Sequence, residues 1–279
     1  EKITVKEFEA FKGLVKGFII YDQNNRLSFY KDQETNDILI SDGFPFLNKK
    51  PLDAKDLFKL YQNNPKDKIA SKIDGSHVDV YLNEKKNRMT IIRDRIGLKP
   101  IYFSSKGGYI ISSSAGAIIK SGLIKSEIDE KTVGRYAVCN YKSNYGYEST
   151  FFNNISLLEP RSIVNINEDG LKKIKYWDWD SNQKFISSKD LYKENLYHNL
   201  IKSSIDKYYS ALIGNEIAVA LSGGMDSGTI AGFLHKISGK KVNAISLSYN
   251  EKTDFDESEL IKCSVRDHVE DWVDLKLSP

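Results

Sequence analysis

The chain has 279 residues, enough for two domains, and its 41 lysine and arginine residues nearly balance 38 aspartate and glutamate residues, for a net charge of +3. With no block of like charge, the composition gives no indication of nucleic-acid binding. No apolar run approaches the length of a membrane span, and Cys139 and Cys263 form neither a metal-binding spacing nor a disulfide framework. These features predict a protein of the reducing cytoplasm that does not associate with membranes.

Short strands separated by polar turns fill the first third of the chain. Residues 17–22 and 26–31 are predicted to pair as a hairpin across a Gln-Asn-Asn turn. Residues 53–62 carry apolar side chains at helical spacing and are predicted as a helix. Residues 77–82 alternate between polar and apolar side chains, and the chain turns and returns over 89–92. This pattern is typical of an antiparallel sheet.

A turn that begins at Arg93 and Asp94 leads into a strand and a glycine-rich hairpin. Ser113 or Ser114 is then placed to cap a short helix over residues 115–121. For Arg93 and Asp94 we favour a structural interpretation, in which the two side chains form an internal ion pair that holds the turn.

The segment 93–103 resembles the glutaminase-like N-terminal domain of the asparagine synthetases. In that family an Arg-Asp-x-x-Gly-x-x-Pro-Leu-Tyr segment precedes a glycine-rich hairpin, a serine-rich stretch and a helix. Residues 158–161, 168–170 and 176–177 also fall where the family has a proline turn, a hairpin and a Tyr-Trp pair. The resemblance implies an antiparallel α+β domain, an Ntn-hydrolase-like sandwich, over residues 1–177.

Two departures from that family concern glutamine hydrolysis. A working glutaminase of this type begins with a cysteine whose α-amine serves as the base, but position 1 is Glu1 and no cysteine precedes Cys139. The Asn-Gly-Glu segment that helps to bind glutamine is replaced by Ser-Asp-Gly-Phe-Pro at residues 41–45. We therefore expect no glutamine hydrolysis. In this respect the chain is similar to the β-lactam synthetases and lasso-peptide cyclases, which use an amine already present in the substrate.

Residues 178–189 are polar and are predicted to be an interdomain linker, followed by a second domain over 190–279 that opens with a helix at 190–209. Residues 217–221 then form a buried strand, and a tight Ser-Gly-Gly turn leads from it into an amphipathic helix. The N–H groups of such a turn and of the helix start point into one space, where the helix dipole attracts an anion. An aspartate two residues after the turn suits an anion site only if a cation, such as Mg²⁺, lies between them.

The sequence Ser-Gly-Gly-Met-Asp-Ser at residues 222–227 resembles the PP-loop of the ATP pyrophosphatases, which cut ATP into AMP and pyrophosphate. It is not a Walker A loop, because the turn contains no lysine. The alternative is a serine-capped turn without a ligand. The resemblance implies ATP and Mg²⁺ as cofactors, with Asp226 as the metal ligand. The implied nucleotide-binding residues are Leu221, Ser222, Gly223, Gly224, Asp226, Ser227 and Leu247.

A strand over 242–247 and a helix over 257–269 follow, so that strands and helices alternate as in a doubly wound parallel sheet, incomplete in this chain. Leu247 is interpreted either as an apolar wall for adenine or as an ordinary core leucine. For Asp256 and Glu257 we favour capping of the second helix over a place in the nucleotide pocket. The chain's histidines show no shared metal spacing and are interpreted as surface or packing residues.

As a member of the asparagine synthetase family, the chain is expected to contribute to ATP-dependent adenylation of a small-molecule or peptide carboxylate, followed by attack of an amine. The catalytic residues are expected on a part of the domain beyond Pro279. A sheet of two predicted strands has exposed edges, so we expect a second polypeptide to complete the synthetase domain. A cleaved asparagine synthetase fragment, a degenerate remnant and a nucleotide-binding scaffold are alternatives. A PP-loop thiolase of transfer RNA is disfavoured by the absence of cysteine pairs and of a basic face.

Overall fold

The computed structural model of the chain describes residues 4–21, 27–125, 127–139, 148–179, 194–212, 216–249 and 257–277. The chain divides into two compact units, Glu1–Ser181 and Asn182–Pro279. The predicted linker, 178–189, lies almost entirely outside the described residues, and the exact bounds of the predicted domains, 1–177 and 190–279, stay predictions. No helix in the described part of the chain combines the length and the apolar composition needed to cross a membrane.

The first unit contains mostly short antiparallel strands with four helices among the described residues. Its strands are β1 (Thr4–Ala10), β2 (Val15–Tyr21), β3 (Leu27–Lys31), β4 (Ile38–Leu47), β5 (Lys50–Pro51), β6 (Asp74–Asn83), β7 (Arg88–Arg93), β8 (Tyr102–Ser104), β9 (Ile110–Ser112), β10 (Glu127–Ile128), β11 (Phe152–Asn153), β12 (Ser156–Leu157), β13 (Ser162–Asn167) and β14 (Gly170–Lys175). Its helices are α1 (Ala54–Asn63), α2 (Lys66–Ala70), α3 (Ala115–Lys120) and α4 (Glu130–Cys139).

A seven-stranded antiparallel sheet, in the order β14-β13-β7-β6-β4-β3 with β5 beside β4, forms the centre of this unit. Side chains alternate across its strands. On β6, Tyr81 packs with α1, which begins at a capping box formed by Asp53 and Asp56. Val78 and Val80 face the opposite side. The antiparallel α+β character expected of the first domain is therefore confirmed.

The second face of this sheet is covered by the hairpin β1–β2 and by the small sheet β12-β8-β9. The predicted pairing of residues 17–22 with 26–31 is wrong, because β2 pairs with β1 and β3 pairs with β4. Turn residues favour a local hairpin, but they do not reveal whether another strand competes for the same edge. Here β1, whose apolar side chains are interrupted by charged ones, supplies that competing edge.

The second unit contains a parallel sheet with the strand order β15 (Ala218–Ala220), β16 (Val242–Tyr249) and β17 (Val269–Leu277). Its third strand was not expected, so the prediction of a two-stranded sheet is wrong in its strand count. That strand follows a helix directly and alternates charged with apolar side chains, without a turn signal before it. The elements of this unit are α5 (Glu194–Leu212), β15 (Ala218–Ala220), α6 (Met225–Ser238), β16 (Val242–Tyr249), α7 (Ser258–His268) and β17 (Val269–Leu277).

The three helices described in the second unit pack on one face of this sheet, where Val219 and Ala244 join Ala231 of α6 and Ile261 of α7 in one core. The described strands follow each other in chain order, so the crossover helices fall on the same side. The doubly wound continuation stays a prediction. The opposite face exposes apolar side chains: Ala218, Ala220, Ile245, Leu247, Val273, Leu275 and Leu277.

Candidate functional site

The loop that joins β15 to α6 is anchored at Leu221. This leucine is buried, its N–H donates to the carbonyl of Ile245 at 2.9 Å, and its carbonyl accepts the hydroxyl of Ser246 at 2.8 Å. These two bonds fix the chain at the carboxyl end of the sheet, where ligands of open α/β sheets bind. Leu221, predicted as nucleotide-binding, thus packs in the core and positions the loop that follows.

The loop itself is folded around the hydroxyl of Ser227. The N–H of Ser222 donates to Ser227 Oγ at 3.1 Å, and the two serine hydroxyl oxygens lie 3.0 Å apart. The N–H of Gly224 donates to Ser222 Oγ at 3.3 Å. Two of the three loop N–H groups therefore already have neutral acceptors from the loop's own serines.

The third loop N–H, that of Gly223, donates to Oε2 of Glu257 at 2.9 Å. Glu257 is the N-cap residue of α7 and makes no side-chain cap bond within that helix. The favoured interpretation placed Glu257 in the first turn of a helix capped by Asp256. It is wrong for Glu257, because this residue is itself the N-cap. Asp256 lies outside the described residues. The glutamate contacts the loop instead, and the alternative that places it in a nucleotide pocket stays a prediction.

Gly223 allows this approach because it has no side chain. A Cβ at this position would lie 2.9 Å from the Cβ atoms of both Glu257 and Leu260, closer than real Cβ contacts. The first turn of α7 therefore packs directly against the loop backbone. The pairing of Gly223 with Glu257 joins two segments 34 residues apart, and neither motif by itself predicts it.

Asp226 lies exposed in the first turn of α6, immediately beyond the loop. The helix dipole stabilises a carboxylate there. In the described part of the chain, no group of three or more His, Cys, Asp or Glu side chains is placed to hold a metal. The single carboxylate of Asp226 fits Mg²⁺ bound in the usual manner of nucleotide sites, in which one or two carboxylates act together with phosphate oxygens and water.

Leu247 is 62% exposed and lies on the open face of the sheet, so it is not part of the core that this chain forms with its helices. Its proposed contact with adenine stays a prediction. Its exposure follows from alternation along β16, because Ser246 and Ser248 face the helices.

A shallow cavity of about 670 Å³ opens beside Gly223 and Gly224 and continues along α6 and α7. His268 lies on its wall, and its Nδ1 is 3.3 Å from Nδ1 of His235. The interpretation of these histidines as packing residues did not foresee this contact. Their separation of 33 residues gives no sequence signal, since the contact arises only when α6 and α7 pack together.

In the first unit, the turn after β7 is held by Arg93 and Asp94 through backbone groups. The guanidinium donates to the carbonyls of Lys99 and Gly97, each at 2.8 Å, and to that of Leu158. The Asp94 carboxylate accepts four backbone N–H groups, from residues 96–99, at 2.6–3.1 Å. The structural role expected of the pair is present, but each side chain binds backbone instead of forming the expected ion pair with the other.

Residues 41–45, which replace the glutamine-binding segment, lie inside strand β4. Asp42 forms an ion pair with Lys99, with 2.8 Å between Oδ1 and Nζ. The backbone at Gly43 lies so close to the Ser76 carbonyl that a Cβ there would be 2.1 Å from the oxygen. The only side-chain charge that this segment carries is therefore already paired.

A buried polar network lies beneath α1 and was not foreseen. Asp79 accepts the hydroxyls of Ser41 at 2.7 Å and Tyr61 at 2.6 Å, and burial together with Asp79 raises the pKa of Tyr61 well above its usual value. His77 is 1% exposed, and its Nδ1 lies 3.0 Å from Asp79 Oδ2, without the angle of a hydrogen bond. Burial acts to lower the pKa of His77, but the charges of Asp79 and Asp94 outweigh burial, so the pKa of His77 lies above its usual value.

Each of the two parts of the chain matches a known protein family. Residues 29–177, more than half of the chain, match the glutamine amidotransferase domain. Residues 214–279, which contain the loop, match the asparagine synthase family. The chain belongs to the asparagine synthetase family. The membership expected from its motifs is thus confirmed.

Individual relatives within this family are distant. Asparagine synthetase (glutamine-hydrolyzing) 3 of Bacillus subtilis is 25% identical over 174 residues, which is 61% of this chain and 27% of that protein. A putative asparagine synthetase (glutamine-hydrolyzing) 2 of Methanocaldococcus jannaschii is 24% identical over 252 residues, 88% of this chain and 47% of that protein. The chain spans less than half the length of these curated relatives.

Among solved structures, the glutamine phosphoribosylpyrophosphate amidotransferase of B. subtilis matches 77% of this chain and 47% of its own, at 15% identity and a TM-score of 0.32. That likeness is too low to carry an argument about fold or function.

Proposed function

We propose that this chain supplies the nucleotide-binding loop of an ATP-dependent ligase that adenylates a carboxylate, releases pyrophosphate and forms an amide. The observation that carries the proposal is the loop Ser222–Gly224, which lies at the carboxyl end of a parallel sheet, leads into α6 and is bound at the N–H of Gly223 by a carboxylate. The asparagine synthase match over the same residues supports it.

In the proposed reaction an oxygen of the substrate carboxylate attacks the α-phosphate of ATP, and the bond to pyrophosphate breaks. Negative charge builds up on the leaving group. The loop N–H groups, the hydroxyls of Ser222 and Ser227 and the start of α6 lie together at one end of the sheet, so they are placed to stabilise this charge. Asp226 would hold Mg²⁺, which supplies further charge neutralisation on the phosphates when it is bound.

The nitrogen donor is proposed to be an amine carried by a small-molecule or peptide substrate. The support comes from the first unit, where Asp42 is paired with Lys99 and residues 41–45 run within a strand. Ammonia released from glutamine would need a glutamine-binding segment, and residues 41–45 read Ser-Asp-Gly-Phe-Pro at the position of that segment.

A second polypeptide is proposed to complete the synthetase domain. Parallel sheets are normally covered on both faces, whereas the apolar side chains of β16 and β17 opposite the helices are exposed. Native mass spectrometry of the protein purified gently from its source tests this. Co-purification of a chain of about two hundred residues is expected, a size suggested by the usual extent of a domain. Recovery of the chain alone contradicts the proposal of a partner.

The assignment of the loop is tested by Asp226→Ala. ATP binding by the wild-type chain is expected to strengthen about tenfold or more when Mg²⁺ is added, since Mg²⁺ held by Asp226 would supply positive charge beside the phosphates. The variant should lose this magnesium dependence, and in the complete complex it should lose ATP–pyrophosphate exchange. Asp271→Ala, at an exposed position near the start of β17, is the control and should behave as wild type.

Unchanged magnesium-dependent binding in Asp226→Ala overturns the assignment. Nucleotide binding without exchange in the complete complex favours the scaffold alternative.

A further inference from the structure

The three N–H groups of the loop differ in the charge of their acceptors. Those of Ser222 and Gly224 donate to serine hydroxyls within the loop. That of Gly223 donates to the carboxylate of Glu257, which reaches over from the start of another helix. The position at Gly223 is therefore the one place in the loop where an anionic oxygen is already bound.

Glu257 is held at this position weakly. It is exposed to solvent, and only one of its carboxylate oxygens bonds to the loop. Its backbone is fixed by α7, where the carbonyl of Glu257 accepts the N–H of Ile261 at 3.0 Å. The side chain can thus leave the loop while the helix stays in place, because the bond within the helix is made by the backbone.

A phosphate oxygen has the same needs as this carboxylate oxygen. Both are anionic acceptors that prefer backbone N–H donors at the start of a helix. A pyrophosphate group in the loop would need the N–H of Gly223 and would meet the negative charge of Glu257 at hydrogen-bonding distance. The two anions cannot share one donor at full strength, so they compete for it.

We propose that Glu257 is a displaceable internal ligand of the loop: its carboxylate occupies the position of a phosphate oxygen at Gly223 and leaves when pyrophosphate binds. This inference rests on the proposed function of the loop. It assigns Glu257 a positioning role that sets the loop's affinity for anions.

Displacement and simple structural support predict opposite results for the same variant. If Glu257 competes with the ligand, removing its charge strengthens the binding of pyrophosphate. If Glu257 only shapes the loop, removing its charge loosens the loop and weakens binding. The direction of the change in affinity therefore separates the two roles.

The experiment is calorimetric titration of the full chain with sodium pyrophosphate, without Mg²⁺ and at constant ionic strength. The test variants are Glu257→Gln, which keeps the shape and an acceptor oxygen, and Glu257→Ala. Glu259→Gln is the control, since it removes the same charge two residues along α7, where Glu259 pairs with Lys262 at 2.7 Å. Circular dichroism confirms that each variant is folded.

Glu257→Gln is expected to bind pyrophosphate about tenfold more tightly than wild type, because a neutral acceptor competes less well than a charged one. Glu257→Ala should bind at least as tightly as Glu257→Gln, and Glu259→Gln should stay within about twofold of wild type, as expected for a charge screened by solvent. Equal or weaker binding by Glu257→Gln overturns this inference and leaves the loop assignment standing. Failure of every variant and of wild type to bind pyrophosphate overturns the proposed function, and the inference with it.

Discussion

Two turns of this protein bind a carboxylate through backbone N–H groups, but they differ in the number of these groups and in burial. In the turn at residues 93–99, Asp94 binds four backbone N–H groups of its own turn and is 1% exposed. In the loop at Ser222–Gly224, an exposed carboxylate from another helix binds one N–H group. Both sites pair backbone N–H groups with a carboxylate, but the first carboxylate is buried and the second is exposed to solvent.

The difference separates a structural use of backbone donors from a ligand-binding one. A buried carboxylate with several donors is costly to remove, because the donors would be left unsatisfied away from water. An exposed carboxylate with one donor can exchange with solvent or with another anion at little cost. We therefore expect substitutions in the first turn to change stability, and substitutions in the loop to change ligand affinity.

Asp94→Ala tests the buried carboxylate and should have the largest effect. It leaves four N–H groups without their acceptor next to the buried Arg93, and we expect a loss of about 3–5 kcal/mol in the free energy of unfolding of the first unit. Urea unfolding followed by circular dichroism measures it. Asp42→Ala, which breaks a half-exposed pair with Lys99, is the control and should cost about 1 kcal/mol or less. Similar effects of the two substitutions would contradict the distinction.

Gly223→Ala tests the close packing of α7 against the open loop. The added Cβ would lie 2.9 Å from two Cβ atoms of that helix, and overpacking of this kind costs about 1–3 kcal/mol. Gly224→Ala is the matched control, because its Cβ would meet only a serine hydroxyl at 3.3 Å and its φ of −79° suits alanine. Thermal unfolding of both variants measures the difference, and equal melting temperatures would contradict the described approach.

A second buried carboxylate, that of Asp79, lies beside the buried His77. Because the pKa of His77 is raised in the folded state, its charge stabilises the fold fully below the unfolded value of about 6.5, and this contribution is lost as the pH rises through the folded value. A tenfold difference in proton affinity between the folded and unfolded states corresponds to about 1.4 kcal/mol of stability. Stability of the wild type relative to His77→Gln should therefore decline as the pH is raised above about 6.5. Parallel curves of stability against pH would refute this assignment.

Ser227→Ala should have the smallest effect on stability. Its hydroxyl is the acceptor for Ser222 N–H and donates to the Ser222 carbonyl at 2.9 Å, so we expect a loss of about 1 kcal/mol and weaker binding of pyrophosphate. Ser210→Ala, on the surface of α5, removes a hydroxyl bonded to a carbonyl at 2.7 Å and serves as the control. Binding unchanged in Ser227→Ala would exclude this hydroxyl from the anion site.

Local patterns predicted those elements whose signals are contained in a few neighbouring residues. The helix predicted over residues 53–62 and the helix capped by Ser114 both follow from such signals. The strand-to-helix turn that forms the anion loop belongs to the same group, because its glycines and serines are contiguous.

Features that join distant segments could not be predicted in the same way. The register of β1 against β2 and the third parallel strand β17 depend on competition between edges. The contact of Glu257 with Gly223, the central feature of the open loop, needs the packing of α7 against the loop. Charge and spacing indicate that an acid lies near the site, but only the fold decides which N–H it binds.

The open anion site is tested most directly at the amide of Gly223. A titration of the wild-type chain with pyrophosphate, followed by amide proton and nitrogen chemical shifts, should move the Gly223 signal strongly while leaving that of Gly97, whose N–H is bound to Asp94, in place. A Gly223 signal that stays fixed, or one that moves no more than that of Gly97, would contradict the claim that this loop is an open anion site.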